Sequence, residues 1–228
     1  MTGTWYAVGV GPGDPELMTI KAVKRLKECD TLAIPHKDRD QCVAYKIAVQ
    51  AVPELAEKKC ICLPMPMTKD RALLEESHSE AVRRTEDCLR QGENVAFITL
   101  GDTTVYSTCL YIKERLDEKQ YATELINGIP SFCAAAARMG IPLVNGKEEL
   151  HIIPASYQIE DALEQPGVKV LMKSGKKLSE VKSLLERRSR DVKMVENCGM
   201  ENEKIYGSIK EIPDEAGYYS LLIVRDGN

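Results

Sequence analysis

Gly9-Val10-Gly11-Pro12-Gly13-Asp14-Pro15-Glu16 is the stretch whose reading decides the fold. It closes a short apolar run, residues 5–10, and leads into a segment with Leu17, Ile20, Val23, Leu26 and Cys29 at helical spacing. A strand, a glycine turn and a helix over 15–29 follow from that pattern. Dinucleotide-binding loops have the same outline, but their G-x-G-x-x-G spacing needs glycine at position 14, where Asp14 stands. A carboxylate at the helix mouth opposes a phosphate. Asp14 suits a helix cap instead, Pro15 the first helical position, and Glu16 the positive end of the helix dipole. Gly9, Gly11 and Gly13 let the backbone turn sharply and approach something flat and bulky, while Pro12 stiffens the loop.

Outward from this turn, strand and helix patterns alternate. Residues 31–34 read as a second strand stopped by Pro35, 41–50 as a helix, and 59–63 as a strand. A long polar helix spans 70–91 and ends at Gly92; 95–100 is the next strand and 105–116 the next helix. Such alternation predicts a mainly parallel sheet with helices on its faces. The charged run at 117–120 is the expected linker. Beyond it come a strand at 122–126, an alanine-rich helix at 131–139, strands at 150–153 and 168–172, a helix at 177–188 and a strand at 192–196. Two last strands, around Ile205 and at 220–224, have no helix between them and are expected to pair. The fold class is α/β, with two α/β domains: 1–117 mainly parallel, 118–228 with a mixed sheet.

The chain has 228 residues, 43% of them apolar and 29% charged, as in an ordered globular protein. Its net charge of −4 speaks against a nucleic-acid partner, and any acidic ligand then needs a local basic patch. Neither a secretory segment nor a membrane span is expected, since no basic stretch followed by an apolar one opens the chain and no apolar run is long enough. Eight cysteines are scattered, and the one close pair, Cys60 and Cys62, falls on one face of a strand. Buried free thiols in a reducing cytoplasm fit this usage, and His78 and His151 form no constellation with cysteines or carboxylates, so no metal is expected.

Five motifs, taken together, resemble the tetrapyrrole methylases. They are Val8 to Glu16 followed by Leu17, Thr19, Lys21 and Ala22; Leu100-Gly101-Asp102-Thr103-Thr104-Val105-Tyr106-Ser107-Thr108; Gly128-Ile129-Pro130-Ser131-Phe132-Cys133-Ala134 with Gly140-Ile141-Pro142-Leu143; Val170-Leu171-Met172-Lys173; and Tyr218-Tyr219-Ser220-Leu221-Leu222-Ile223-Val224. Within that family the chain is similar above all to the branch that methylates C-20 of precorrin-2 or cobalt-factor II in cobalamin biosynthesis. Uroporphyrinogen-methylating members carry an Asp at the end of the second strand, where this chain has Pro35. The resemblance implies S-adenosylmethionine as cofactor, folded in a cleft between the two domains. Cofactor contacts carried over by motif are Pro12, Leu100, Gly101, Asp102, Val105, Pro130, Ser131, Met172 and Cys198, with Gly11, Gly13 and Asp14 turned to the macrocycle. Thr103 departs from a frequent proline and Pro130 from a usual threonine; a hydrogen bond made there by relatives would need another donor, such as Ser131. A homodimer is implied as well.

The implied chemistry suits such residues. A sulfonium is an activated methyl donor and the acceptor carbon is electron-rich, so holding the two in line removes roughly 7–11 kcal/mol of barrier without a nucleophile or metal. The substrate's carboxylates need cations: Lys37 and Arg39 beyond the second strand, with Lys21 and Lys24 as further candidates. Candidate acceptors for the proton leaving C-20 are His36, Tyr106 and water. Two alternatives stay open: a methyltransferase of the same fold acting on another corrin carbon, and a non-catalytic tetrapyrrole-binding protein. Whether the substrate already carries cobalt is open too.

Overall fold

Five short apolar runs build the first sheet: β1 (Trp5–Gly9), β2 (Thr31–Ile34), β3 (Lys59–Cys62), β4 (Val95–Thr99) and β5 (Thr123–Ile126). The structure, a computed structural model, describes residues 1–154, 159–187 and 191–226. The strand order is β3-β2-β4-β1-β5, all parallel. Helices α1 (Ile20–Glu28) and α2 (Val43–Ala51) cover one face, α3 (Arg71–Arg90) and α4 (Cys109–Glu118) the other. Alternation along β1 shows why both faces must be covered. Tyr6 and Val8 pack with Leu26, Ile47 and Ala48 on one side, whereas Trp5 and Ala7 pack with Phe97, Leu89 and Ile112 on the other.

The helix expected over 15–29 is broken. Asp14 caps a single 3-10 turn, Pro15–Leu17, accepting from Glu16 N at 2.8 Å. Met18 is extended, and Thr19 then caps α1 by accepting from Ala22 N at 3.1 Å. Two caps five residues apart restart the helix and rotate its apolar face. Met18, Ala22, Leu26 and Cys29 are buried, while Ile20, expected in the stripe, is 88% exposed. The helix expected from residue 105 begins at Cys109, because Tyr106 has φ +51° and cannot continue a right-handed helix. Cys60 and Cys62 do pack towards the same core, and burial pushes the Cys60 thiol up to about 11.

The run at 117–120 closes α4 rather than starting a linker: Gln120 turns with φ +63°, and β5 then pairs with β1 from Trp5↔Thr123 to Val8↔Ile126. Contacts divide the chain into Met1–Pro130 and Ser131–Asn228. The second unit contains α5 (Ser131–Arg138), β6 (Leu150–Pro154), α6 (Glu160–Glu164), β7 (Val168–Met172), α7 (Leu178–Glu186), β8 (Asp191–Glu196), β9 (Lys204–Tyr206) and β10 (Ser220–Arg225). Arg188, the last residue of the helix expected there, lies outside the described residues. The sheet order is β6-β7-β10-β8-β9, with β6 and β7 parallel and the other pairs antiparallel. The expected pairing of β9 with β10 does not occur. Leu221 to Val224 are buried and need a neighbour on each side, whereas Lys204 and Ile205 are exposed and suit an edge. Lys169, buried on β7, is paired with Asp226 at 2.8 Å. Among the described residues no helix is long and apolar enough to cross a membrane.

Candidate active site

β1 and β4 are neighbours, yet the helices that follow them, α1 and α4, lie on opposite faces. Strand connections therefore diverge at their C-terminal ends, the place where parallel α/β sheets open a crevice for ligands. Two glycine turns meet there. Gly11 N donates to Gly101 O at 3.2 Å and Gly101 N to Gly11 O at 2.7 Å. Both are left-handed, φ +77° and +72°, so a side chain would strain either turn. The β5–α5 loop closes in from the other side: a Cβ on Gly128 would lie 2.1 Å from Gly101 O, and one on Gly9 2.6 Å from Gly128 N. Three loops touch backbone to backbone, and only glycine allows it.

Asp102 fastens these loops. It is 5% exposed. Its Oδ1 accepts from Thr104 N at 2.8 Å and from the Thr104 hydroxyl; its Oδ2 accepts from Gly128 N at 3.0 Å and from Asn127 Nδ2 at 3.1 Å. Burial alone would raise the Asp102 carboxyl, but donors from Thr104, Asn127 and Gly128 outweigh it and hold it below the usual carboxylate range. Four donors fill the lone-pair sites of a carboxylate. Asp102 is therefore built to shape the turn and is poorly placed to orient a ligand or to take a proton. Beneath it, Thr99 Oγ1 and Ser107 Oγ lie 2.9 Å apart and Ser107 Oγ reaches Cys109 Sγ at 3.0 Å, which holds the 103–108 segment against β4. Thr103 Oγ1 is buried without a hydrogen-bond partner.

Pro12, Leu100, Gly101, Asp102 and Val105 lie in the turns that follow β1 and β4 at this edge, with Gly11 and Gly13 among them; Pro130 ends the same unit. Ser131, Met172 and Cys198 belong to the second unit: the start of α5, the end of β7 and the turn after β8. A pattern links five of these positions. Pro12 follows Gly11, Leu100 precedes Gly101, Val105 precedes Tyr106, Met172 precedes Lys173, and Cys198 follows Asn197, and each of those neighbours has positive φ. Three of those neighbours, Tyr106, Lys173 and Asn197, are not glycine, and such residues adopt positive φ rarely; Gln120, just past α4, is a fourth among the described residues.

The charged candidates divide. Asp14 spends one oxygen on the turn it caps. Lys21 is taken by Glu124 at 2.6 Å. Arg39 reaches Asp40 at 3.3 Å and Ala56 O at 3.2 Å and sits over the Tyr45 ring; its neighbours Tyr45 and then Asp40 hold it above its ordinary range. Lys37 and Lys24 are exposed. His36, just past β2, engages the Asp38 backbone through Nδ1, at 2.7 Å from O and 3.0 Å from N. Tyr106 is exposed at the same edge. Among the described residues no group of His, Cys, Asp and Glu could hold a metal ion. Asn127 was not legible as a site residue; an Asn-Gly pair directly after a strand was the available signal.

Residues 4–213 match the model of the family described as Tetrapyrrole (Corrin/Porphyrin) Methylases. The chain is 36% identical to a protein of Methanocaldococcus jannaschii named "Probable cobalt-precorrin-2 C(20)-methyltransferase", over 96% of this chain and 95% of that one. It is 30% identical to the cobalt-precorrin-2 C(20)-methyltransferase of Salmonella typhimurium, over 99% and 97%. The fold is that of the uroporphyrin-III C-methyltransferase of Thermus thermophilus, solved with S-adenyl homocysteine: TM-score 0.73 and 20% identity, covering 98% of each chain.

Proposed function

The chain belongs to the tetrapyrrole (corrin/porphyrin) methylases, and from that premise we propose that it transfers a methyl group from S-adenosylmethionine to C-20 of a precorrin-2-type tetrapyrrole in cobalamin biosynthesis. The relatives at 36% and 30% identity carry names that specify the cobalt-bearing substrate, which favours cobalt-precorrin-2 as the acceptor. The observation that carries the site is the Gly11–Gly101 backbone pair at the point where the connections of β1 and β4 diverge.

The residues fit that cofactor. S-adenosylmethionine has no phosphate, and the turn after β1 offers none a cradle, since Asp14 stands at its helix mouth. A Cβ on Gly101 would meet only Ile129 O, at 3.9 Å, so the turn leaves room for a bulky group. Leu100, Gly101, Val105 and Pro12 would hold the cofactor in this unit, and Pro130, Ser131, Met172 and Cys198 are proposed as further contacts. When bound, the cofactor supplies an already activated methyl group. The chain's own work is positional: rigid turns hold donor and acceptor at reacting distance, where roughly 7–11 kcal/mol is available. Asp102 keeps the turn in shape and takes no proton. The proton released from C-20 passes to water, with His36 Nε2 or the Tyr106 hydroxyl as relay, since His36 Nδ1 is already held by Asp38. Lys37 and Lys24 serve the substrate carboxylates better than Arg39 and Lys21, whose charges are spent within the chain. We further propose a cytoplasmic homodimer.

The test is transfer from S-adenosylmethionine carrying a 13C methyl group to the reduced tetrapyrrole, with and without cobalt, read by NMR. Label at C-20 is expected. Label on another ring carbon would overturn the assignment, and tight tetrapyrrole binding without transfer would make the chain a carrier.

A further inference from the structure

One run of hydrogen bonds crosses all three loops behind the paired glycines. Thr19, after the β1 turn, donates through Oγ1 to Asn127 O at 3.1 Å while capping α1. Asn127, after β5, donates through Nδ2 to Asp102 Oδ2, and Gly128 N joins it on the same oxygen. Asp102 in turn holds Thr104 on the far side of the β4 turn. Asn127 thus touches the first loop through its carbonyl and the second through its side chain.

We propose that Asn127 is a positioning residue for cofactor binding, its carboxamide fixing the Leu100–Val105 turn through Asp102. This rests on the assignment of that turn to the cofactor. Asn127 is itself exposed, so its side chain adds little to the core. Thr104 holds Oδ1 from within the β4 turn itself, so the hydrogen bonds that tie Asp102 to the loop after β5 are those from Gly128 N and Asn127 Nδ2, both on Oδ2; without Asn127 that tie rests on the Gly128 amide alone. Of the donors that reach Asp102 from the loop after β5, Asn127 contributes the one a substitution can remove without disturbing backbone.

Two variants separate positioning from mere support. N127A deletes the donor. N127D sets a carboxylate against Asp102, and two carboxylates in contact cannot both ionise, so one keeps its proton to higher pH. While protonated, the introduced carboxyl donates as the native carboxamide does; once ionised, it repels. Among the described residues, Cys109 on α4 also interacts electrostatically with Asp102; it is a buried thiol held above its ordinary range and so neutral throughout.

The experiment is calorimetric titration of the full chain with S-adenosylhomocysteine from about pH 5.5 to about pH 8.5, with a melting curve for each variant. Loss of the tie between the two loops predicts a Kd raised about 10-fold or more for N127A at every pH, and loss of a hydrogen bond to a charged group predicts a fall in melting of about 3–12 °C that leaves the variant folded for the titration. N127D should bind like the wild type at the acid end and weaken as pH rises, while the wild type shows no such trend. N127A binding within twofold of the wild type, or N127D without the pH trend, overturns the role of Asn127 and leaves the cofactor site standing. Failure of the wild type itself to bind overturns the site assignment, and this inference with it.

Discussion

Replacing Gly128 with alanine should damage the fold at the site more than any comparable surface change. The new Cβ would lie 2.1 Å from Gly101 O and 2.8 Å from Gly9 C, both backbone atoms that no rotamer change can move. Relief requires the β4 and β5 turns to part by about an ångström. That opens the Gly11–Gly101 pair, bonded at 3.2 and 2.7 Å, and draws Gly128 N away from Asp102. Overpacking costs about 1–3 kcal/mol. A lost neutral hydrogen bond adds about 1 kcal/mol and one to a carboxylate about 1.5–3 kcal/mol. With both bonds of the Gly11–Gly101 pair counted, the total is about 4.5–8 kcal/mol, and at about 2–4 °C per kcal/mol for a chain of this size the melting temperature should fall by about 9–32 °C. Gly146→Ala is the control: Gly146 has φ +52° but nothing within 4 Å of its Cβ, so it carries only backbone strain of about 1–2 kcal/mol. Thermal melts followed by circular dichroism compare the two. A Gly128→Ala protein that melts no lower than Gly146→Ala would refute the close packing of the three loops.

Asp102→Asn turns one acceptor into a donor facing Thr104 or Gly128 and Asn127, and should cost about 2–3 kcal/mol at neutral pH. Because the Asp102 carboxyl sits below its usual range, its stabilisation is present above the unfolded value and fades as pH falls through the folded one; the gap in urea midpoint between wild type and variant should therefore shrink in acid. Asp226→Ala removes the carboxylate paired with the buried Lys169 ammonium, and the melting temperature should fall on the same melts. Lys37→Ala should raise KM for the tetrapyrrole several-fold with kcat unchanged, and Arg39→Ala less, since Arg39 is held by Asp40 and Ala56; steady-state kinetics distinguish them.

Most strands of both sheets were legible because burial on both faces leaves continuous apolar runs such as residues 5–8, 95–98 and 221–224. What alternation does not carry is tertiary choice. Thr19 and Asp14 are both good caps, and only the packing of Met18 shows that both are used, which is why Ile20 faces solvent instead of the core. β9 and β10 looked like a hairpin because no helix separates them, but the burial of β10 on both sides places it between β7 and β8. At the site, Gly9, Gly11, Gly101 and Gly128 announced themselves as glycines. Tyr106 in the first unit, and Lys173 and Asn197 in the second, take left-handed backbone with no glycine to mark them. The role of Asn127 depends on where Asp102 points, a contact 25 residues apart that no local pattern encodes.

A crystal structure of the chain with S-adenosylhomocysteine tests the site most directly. Ligand density against the backbone of Leu100, Gly101 and Val105, with Asp102 still bonded to Asn127 and Gly128, is the predicted result. Ligand bound away from the C-terminal ends of β1 and β4, or an Asp102 carboxylate swung out to grip it, would contradict the account.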